Sequence, residues 1–356
     1  MSGSVSPVVL LQMLQHYHNY TTEPRIFKFT RNNRMRIHKE TPDEASRRKS
    51  IVSKDIRDSA SRILKEQLIH ALKGRIDGKV WIDPETKKLA VPQSVTAGNS
   101  GVDILTTGSH MTIPEGKIIR VFTYWEKVND IDLSGFALDE EGNQMEFSWR
   151  TFGRGAWNKN RSTAYPILFS GDETSGYNGG SEYFDIGIEA FMDVYPGFRY
   201  LIFCDNVYSN LTFNNCFCKA GFMIRKEPMN GEIFEPKTVQ TSFRIDSDST
   251  YCYLFAIDLL KREMIWLNVN RNGNYHVAGE SQMAWLKGYF EMPEVFSVHD
   301  LYTAAATQIT DDPKQADVLV LGMEQSLRGF GTDNGSHREQ TTVKAWDVEK
   351  MFQLLQ

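Results

Sequence analysis

The 356-residue chain has 41% hydrophobic and 24% charged residues and a formal net charge of -5, a composition that folds rather than one that stays disordered. At roughly 150 residues per domain the length accommodates about two to three domains. No apolar run approaches the roughly 18 uncharged residues of a membrane span. Met1 to Ser6 has no basic region and Val8 to Leu11 is too short for a signal peptide, so a cytoplasmic protein with no membrane span is expected.

Charge is uneven along the chain. Between Pro24 and Arg62 there are 12 Lys/Arg against 5 Asp/Glu, a local balance of +7 that leaves -12 for the remainder. Arg31, Arg34, Arg36, Arg47, Arg48 and Lys49 are the candidate contacts of this segment, with nucleic acid phosphates or with an acidic partner surface. A solvated arm accounts for the same residues.

In chain order, Pro7 to Tyr20 reads as a helix from the spacing of Val8, Leu11 and Leu14. A short basic strand is expected from Arg25 to Phe29. Ser53 to Lys73 is a second helix, capped by Ser53 and stopped by Gly74. From Lys79 the period changes to two, and strands are expected at Lys117–Trp125, Asp130–Leu138, Met145–Trp149, Tyr183–Ile188, Phe198–Cys204, Cys218–Arg225, Thr238–Ile245, Tyr251–Leu259 and Met264–Val269. Asp246 to Ser249 reads as a hairpin turn between two of them. That density of short strands points to a sandwich or barrel. Trp125, Trp149, Tyr200, Tyr208 and Trp266 are expected in its core. Beyond Asn272, Ser297–Thr307 is helical, Asp312 and Pro313 open a helical turn, Val318–Leu321 is a buried strand and Val348–Leu355 a closing helix, with a Gly-rich loop at Gly329–His337. The expected organisation is mainly β: an N-terminal helical, basic unit over 1–78, a β-sandwich over 79–272 and a small C-terminal α/β unit over 273–356.

The common hydrolase, zinc-protease and phosphate-loop signatures are missing, and a non-enzymatic protein is expected. The four cysteines, Cys204, Cys216, Cys218 and Cys252, contain no Cys-x-x-Cys pair and read as buried thiols. One constellation stands out. Asp130-Ile-Asp132-Leu-Ser134-Gly135, with Glu141 at the twelfth place, formally matches a helix-loop-helix calcium loop. Strands rather than helices flank it, so only the weaker reading stands: Asp130, Asp132 and Ser134 share one edge at period two, where a hard cation could sit, or else belong to a solvent-facing strand. A second oxygen-rich segment runs from Ser170 through Asp172 and Asn178 to Glu182, and an ordinary surface loop has the same composition.

These residues resemble the TerD family of tellurite-resistance and bacterial stress proteins. Asp130-Ile-Asp-Leu-Ser is similar to that family's Asp-x-Asp-Leu-Asp-x-Ser signature, with Ser134 in place of the third Asp. Ser170-Gly171-Asp172 is similar to its Gly-Asp-Asn-x-Thr-Gly loop, and the likeness runs from about Gly116 to Asn270. Trp81-Ile-Asp-Pro-Glu, Asp311 to Asp317 and the Trp346-Asp-Val-Glu-Lys helix resemble the flanks of longer TerD proteins. The resemblance implies a β-sandwich, Ca2+ held by the two acidic loops through Asp130, Asp132, Ser134, Asp172, Asn178 and Glu182, and a role in stress response or defence as a binding or scaffold protein. The chain departs from the family at Gly179, Gly180 and Ser181, where further acidic residues are usual, which implies a weaker site. Two other functions fit the sequence: a structural subunit of a large assembly such as a virion, and a nucleic-acid binder acting through the basic segment. Protein partners or self-assembly accompany the scaffold readings.

Overall fold

The structure, a computed structural model, describes residues 5–18, 26–31, 34–39, 41–47, 52–92, 105–151, 166–208, 211–229, 231, 239–271, 286–322 and 340–356. It opens with the helix Pro7–His18, the antiparallel pair β1 (Ile26–Arg31) and β2 (Arg34–Lys39), the helices Pro42–Ser46 and Lys54–Leu72, and β3 (Ile76–Ile82). Eleven strands follow: β4 (His110–Thr112), β5 (Ile118–Glu126), β6 (Ile131–Asp139), β7 (Gln144–Phe147), β8 (Ile167–Phe169), β9 (Gly180–Ile186), β10 (Phe198–Val207), β11 (Phe217–Arg225), β12 (Val239–Ile245), β13 (Tyr251–Asp258) and β14 (Glu263–Arg271). The helix Val298–Ala305, β15 (Ala306–Ile309), β16 (Val318–Leu321), β17 (Thr341–Lys344) and the helix Val348–Leu355 complete the chain. Helix and strand both contribute heavily, so the chain as a whole is mixed α and β. No described helix is long and apolar enough to cross a membrane.

The residues cluster into two compact units, one from 1–96, 108–110 and 285–356, the other from 97–107 and 111–284. This revises the expected three-part division. The expected boundary at 78 falls inside β3, which pairs in parallel with β15 and β16, Val80 standing opposite Val318. The N-terminal helices and the C-terminal strands therefore build one unit around a four-stranded parallel sheet of order β15-β3-β16-β17. Parallel strands need long crossover connections, and a pairing across more than two hundred residues leaves no trace in local periodicity.

Local chemistry explains the longest helix. Ser53 caps it, its Oγ accepting the Ile56 N–H at 3.4 Å, and Gly74 ends it at φ +76°, where a side chain would be strained. Asp83, at the end of β3, is buried and accepts the N–H groups of Glu85 at 3.0 Å and Gly322 at 3.1 Å, tying β3 to the end of β16.

The second unit holds two antiparallel sheets, β4-β14-β13-β10-β6-β7 and β12-β11-β5-β9-β8. Their apolar faces meet through aromatic rings. Phe184 of β9 lies 5.1 Å from Phe147 of β7 and 6.4 Å from Phe203 of β10, and Phe243 of β12 lies 3.9 Å from Trp266 of β14. Burial of such side chains stabilises the unit by roughly 1.5–3 kcal/mol each. β12 and β13 belong to different sheets, so Asp246–Ser249 crosses between sheets and is not a hairpin turn. Trp125, Tyr200 and Trp266 are buried as expected, whereas Trp149 and Tyr208 are exposed. All four cysteines are buried free thiols.

One buried ion pair sits within this apolar setting. Arg120 on β5 and Asp185 on β9 are register partners with fully buried side chains, joined by two bonds of 2.7 and 2.8 Å. The Tyr183 ring lies 3.8 Å from the guanidinium carbon, and Asp185 also accepts the Met229 N–H at 2.6 Å.

Candidate metal centre

The two oxygen-rich segments of the sequence converge in the second unit. Asp130 ends the β5–β6 connection, Asp132 lies in β6, and Asp172 lies between β8 and β9. One carboxylate oxygen from each of the three falls within 4.8 Å of the other two. Asp130 and Asp132 are buried and Asp172 is exposed, so the cluster opens to solvent on one side only.

Backbone bonds create this convergence. The β5–β6 turn passes through Lys127 at φ 73°, and its backbone grips the acidic loop: Lys127 N–H donates to Tyr177 O at 2.8 Å and Gly176 N–H to Asn129 O at 2.7 Å. Trp125 explains two of the loop's glycines. A Cβ at Gly176 or Gly180 would come within 2.6 and 2.5 Å of indole atoms, so the loop lies flat against the ring only because both lack side chains.

Glu182 supplies the remaining connection. Fully buried on β9, it accepts the Leu133 N–H at 2.9 Å through one oxygen and the Glu173 N–H at 3.0 Å through the other. It thus fixes Asp172's neighbour against β6. Burial pushes its carboxyl well above the ordinary range, opposed by these two N–H groups.

The electrostatics are those of crowded carboxylates. Burial, then the charges of Asp172 and Glu173, push Asp130 up to about 6. Burial, then the charge of Asp130, push Asp132 up to about 7, opposed by the Asn206 amide at 3.3 Å. Asp130 Oδ1 is buried and has no hydrogen-bond partner. Deeper in the unit, Asp205 on β10 is fully buried, accepts the Thr123 hydroxyl at 2.8 Å and is pushed up to about 8, chiefly by burial.

The other expected site residues are distributed as follows. Ser134 is two residues beyond Asp132 on β6, about 6.7 Å of strand rise away, with a buried hydroxyl that makes no hydrogen bond. Asn178 is exposed at the apex of the Gly176–Gly179 turn. Glu141 lies past the far end of β6, roughly 30 Å of strand from Asp130, which removes the helix-loop-helix calcium pattern. Arg31, Arg34 and Arg36 lie in β1 and β2, Arg47 is exposed after the helix Pro42–Ser46, and Arg48 and Lys49, like the Gly329–His337 loop, lie outside the described residues. Sequence reasoning missed Glu173, Asp205 and Asn206. The last two were visible only as a polar pair closing the apolar run Phe198–Cys204.

The donor set fits a hard cation. Three carboxylates and a solvent opening offer the oxygen ligands and waters that Ca2+ or Mg2+ takes. Compared with protein-family models, curated proteins and solved structures, the chain matches none of them.

Proposed function

We propose that the second unit is a non-catalytic, cation-stabilised binding or scaffold module of the TerD type, holding Ca2+ through Asp130, Asp132 and Asp172. The observation that carries this reading is the meeting of the three carboxylates, two of them buried, within 4.8 Å. The charges that raise Asp130 and Asp132 are those of other carboxylates. A divalent cation would offset that repulsion and give the orphaned Asp130 Oδ1 a partner.

The cation's role is structural. Asp130 and Asp132 belong to or border the six-stranded sheet, while Asp172 leads into the five-stranded one. A shared ion would clamp the sheets at the end where Glu182 already joins them. A stable sandwich with a cation-ordered loop presents a surface without chemistry of its own, in keeping with the stress or defence role that the resemblance implies.

The test is calorimetric titration of Ca2+ into chelator-stripped protein, with the melting temperature followed in parallel and Asp132→Asn and Asp172→Asn as controls. Saturable heat and a raised melting temperature, both abolished by the substitutions, are expected. Absence of heat and of any melting shift with Ca2+, Mg2+ or Mn2+ would overturn the reading.

A further inference from the structure

The backbone pairing of β1 with β2 gathers the basic segment's residues in a way that its linear sequence does not display. Phe27 stands opposite His38, Phe29 opposite Arg36 and Arg31 opposite Arg34. Cross-strand partners share a face of the ribbon, and residues two apart along a strand share it too. One face therefore holds Phe27, Phe29, Arg31, Arg34, Arg36 and His38, which are all the phenylalanines and arginines of the two strands. Ile26, Met35 and Ile37, with Lys28, Thr30 and Lys39, fall on the other. The face that carries Phe27, Phe29, Arg31, Arg34 and Arg36 combines aromatic residues with positive charge.

We propose that this face of the β1–β2 ribbon binds single-stranded nucleic acid. From Ile26 to Lys39 the chain has five Lys/Arg and no Asp/Glu, a concentration of positive charge within a chain of net charge -5. Charge alone would serve an acidic protein surface as well. The two phenylalanines decide between these partners, because bases stack on aromatic rings and carboxylates do not. The same rings decide between one strand and two, because base faces inside a duplex are covered by neighbouring pairs and only unpaired bases can lie on a side-chain ring.

The experiment is fluorescence anisotropy of labelled oligouridylate and oligothymidylate with the full chain over a salt series. Binding is expected to weaken with salt at a logarithmic slope of about -2, as three arginine–phosphate contacts on a single strand require. Phe27→Ala/Phe29→Ala should lose about tenfold or more in affinity with the slope kept, and Phe27→Tyr/Phe29→Tyr should retain binding. Arg34→Ser/Arg36→Ser should flatten the slope. Polyglutamate serves as the charge-only competitor, and far-ultraviolet circular dichroism checks that each variant folds. Undetectable binding at low salt would overturn the proposal. So would equal affinity for a duplex of the same length, equal competition by polyglutamate, or a folded Phe27→Ala/Phe29→Ala variant that binds as well as the parent.

Discussion

The Glu182 carboxylate accepts the Leu133 backbone N–H at 2.9 Å, and this bond joins a strand of the five-stranded sheet to a strand of the six-stranded one. The same carboxylate holds Glu173 N–H at 3.0 Å, so one side chain closes the end of the sandwich and brings Asp172 to Asp130 and Asp132. Glu182→Gln retains one acceptor oxygen and places a donor against the other N–H. A loss of about 1–3 kcal/mol is expected, read by urea denaturation. Weakened cation binding should accompany it, because the loop carrying Asp172 is released. Unchanged affinity in the folded variant would mean that Glu182 does not position the ligands.

The raised carboxyls set a pH dependence. In the unfolded chain an Asp loses its proton near pH 4, whereas folded Asp130, Asp132 and Asp205 keep theirs to about 6, 7 and 8. Between these limits the folded state binds more protons, so without a divalent cation stability falls as pH rises from about 4 to about 8. Denaturant midpoints measured across that range should decline, and a rise would contradict the assignment.

Cation binding requires ionised carboxylates and therefore displaces the protons that Asp130 and Asp132 hold. Apparent Ca2+ affinity should increase from pH 6 to pH 8. Near pH 7 the measured heat should differ between buffers of different ionisation enthalpy. Identical heats in two such buffers would show that no proton leaves, and that the ion sits elsewhere.

The Arg120–Asp185 pair is fully buried and doubly bonded. Removing one partner strands a charge, so Arg120→Met is expected to cost about 3–5 kcal/mol. The double variant Arg120→Met/Asp185→Leu should cost less than the sum of its singles, although Met229 N–H then loses its acceptor. A double-mutant cycle by denaturant unfolding checks this, strict additivity being the contrary result.

Asp83→Ala removes the acceptor for Glu85 and Gly322 N–H and should destabilise the parallel-sheet unit by about 1–3 kcal/mol. Hydrogen exchange should show β3 and β16 opening together in the variant, since the two are paired. Separate opening of the two would contradict a shared sheet.

Most of the longer elements were legible because each is encoded by residues a few positions apart. Ser53 and Gly74 mark the ends of a helix that runs from Lys54 to Leu72, and alternation over Val239 to Ile245 and the apolar run Tyr251 to Ile257 locate strands to within a residue or two. The oxygen-rich stretches around Asp130 and Asp172 were equally visible as composition. Partner choice was not. That Asp172 lies beside Asp130 and Asp132, that β3 joins β16, that Asp246–Ser249 crosses between sheets, and that Phe27 and Phe29 share a face with Arg34 and Arg36 all depend on register and on the closure of loops. Closure is governed by long-range burial and pairing. Sequence alone determined most of the longer helices and strands and which segments are rich in oxygen or positive charge, but not β2, β3, β8 or β17. The tertiary structure alone decided which of them meet, because hydrogen bonds such as Glu182 to Leu133 form between residues that no local pattern relates.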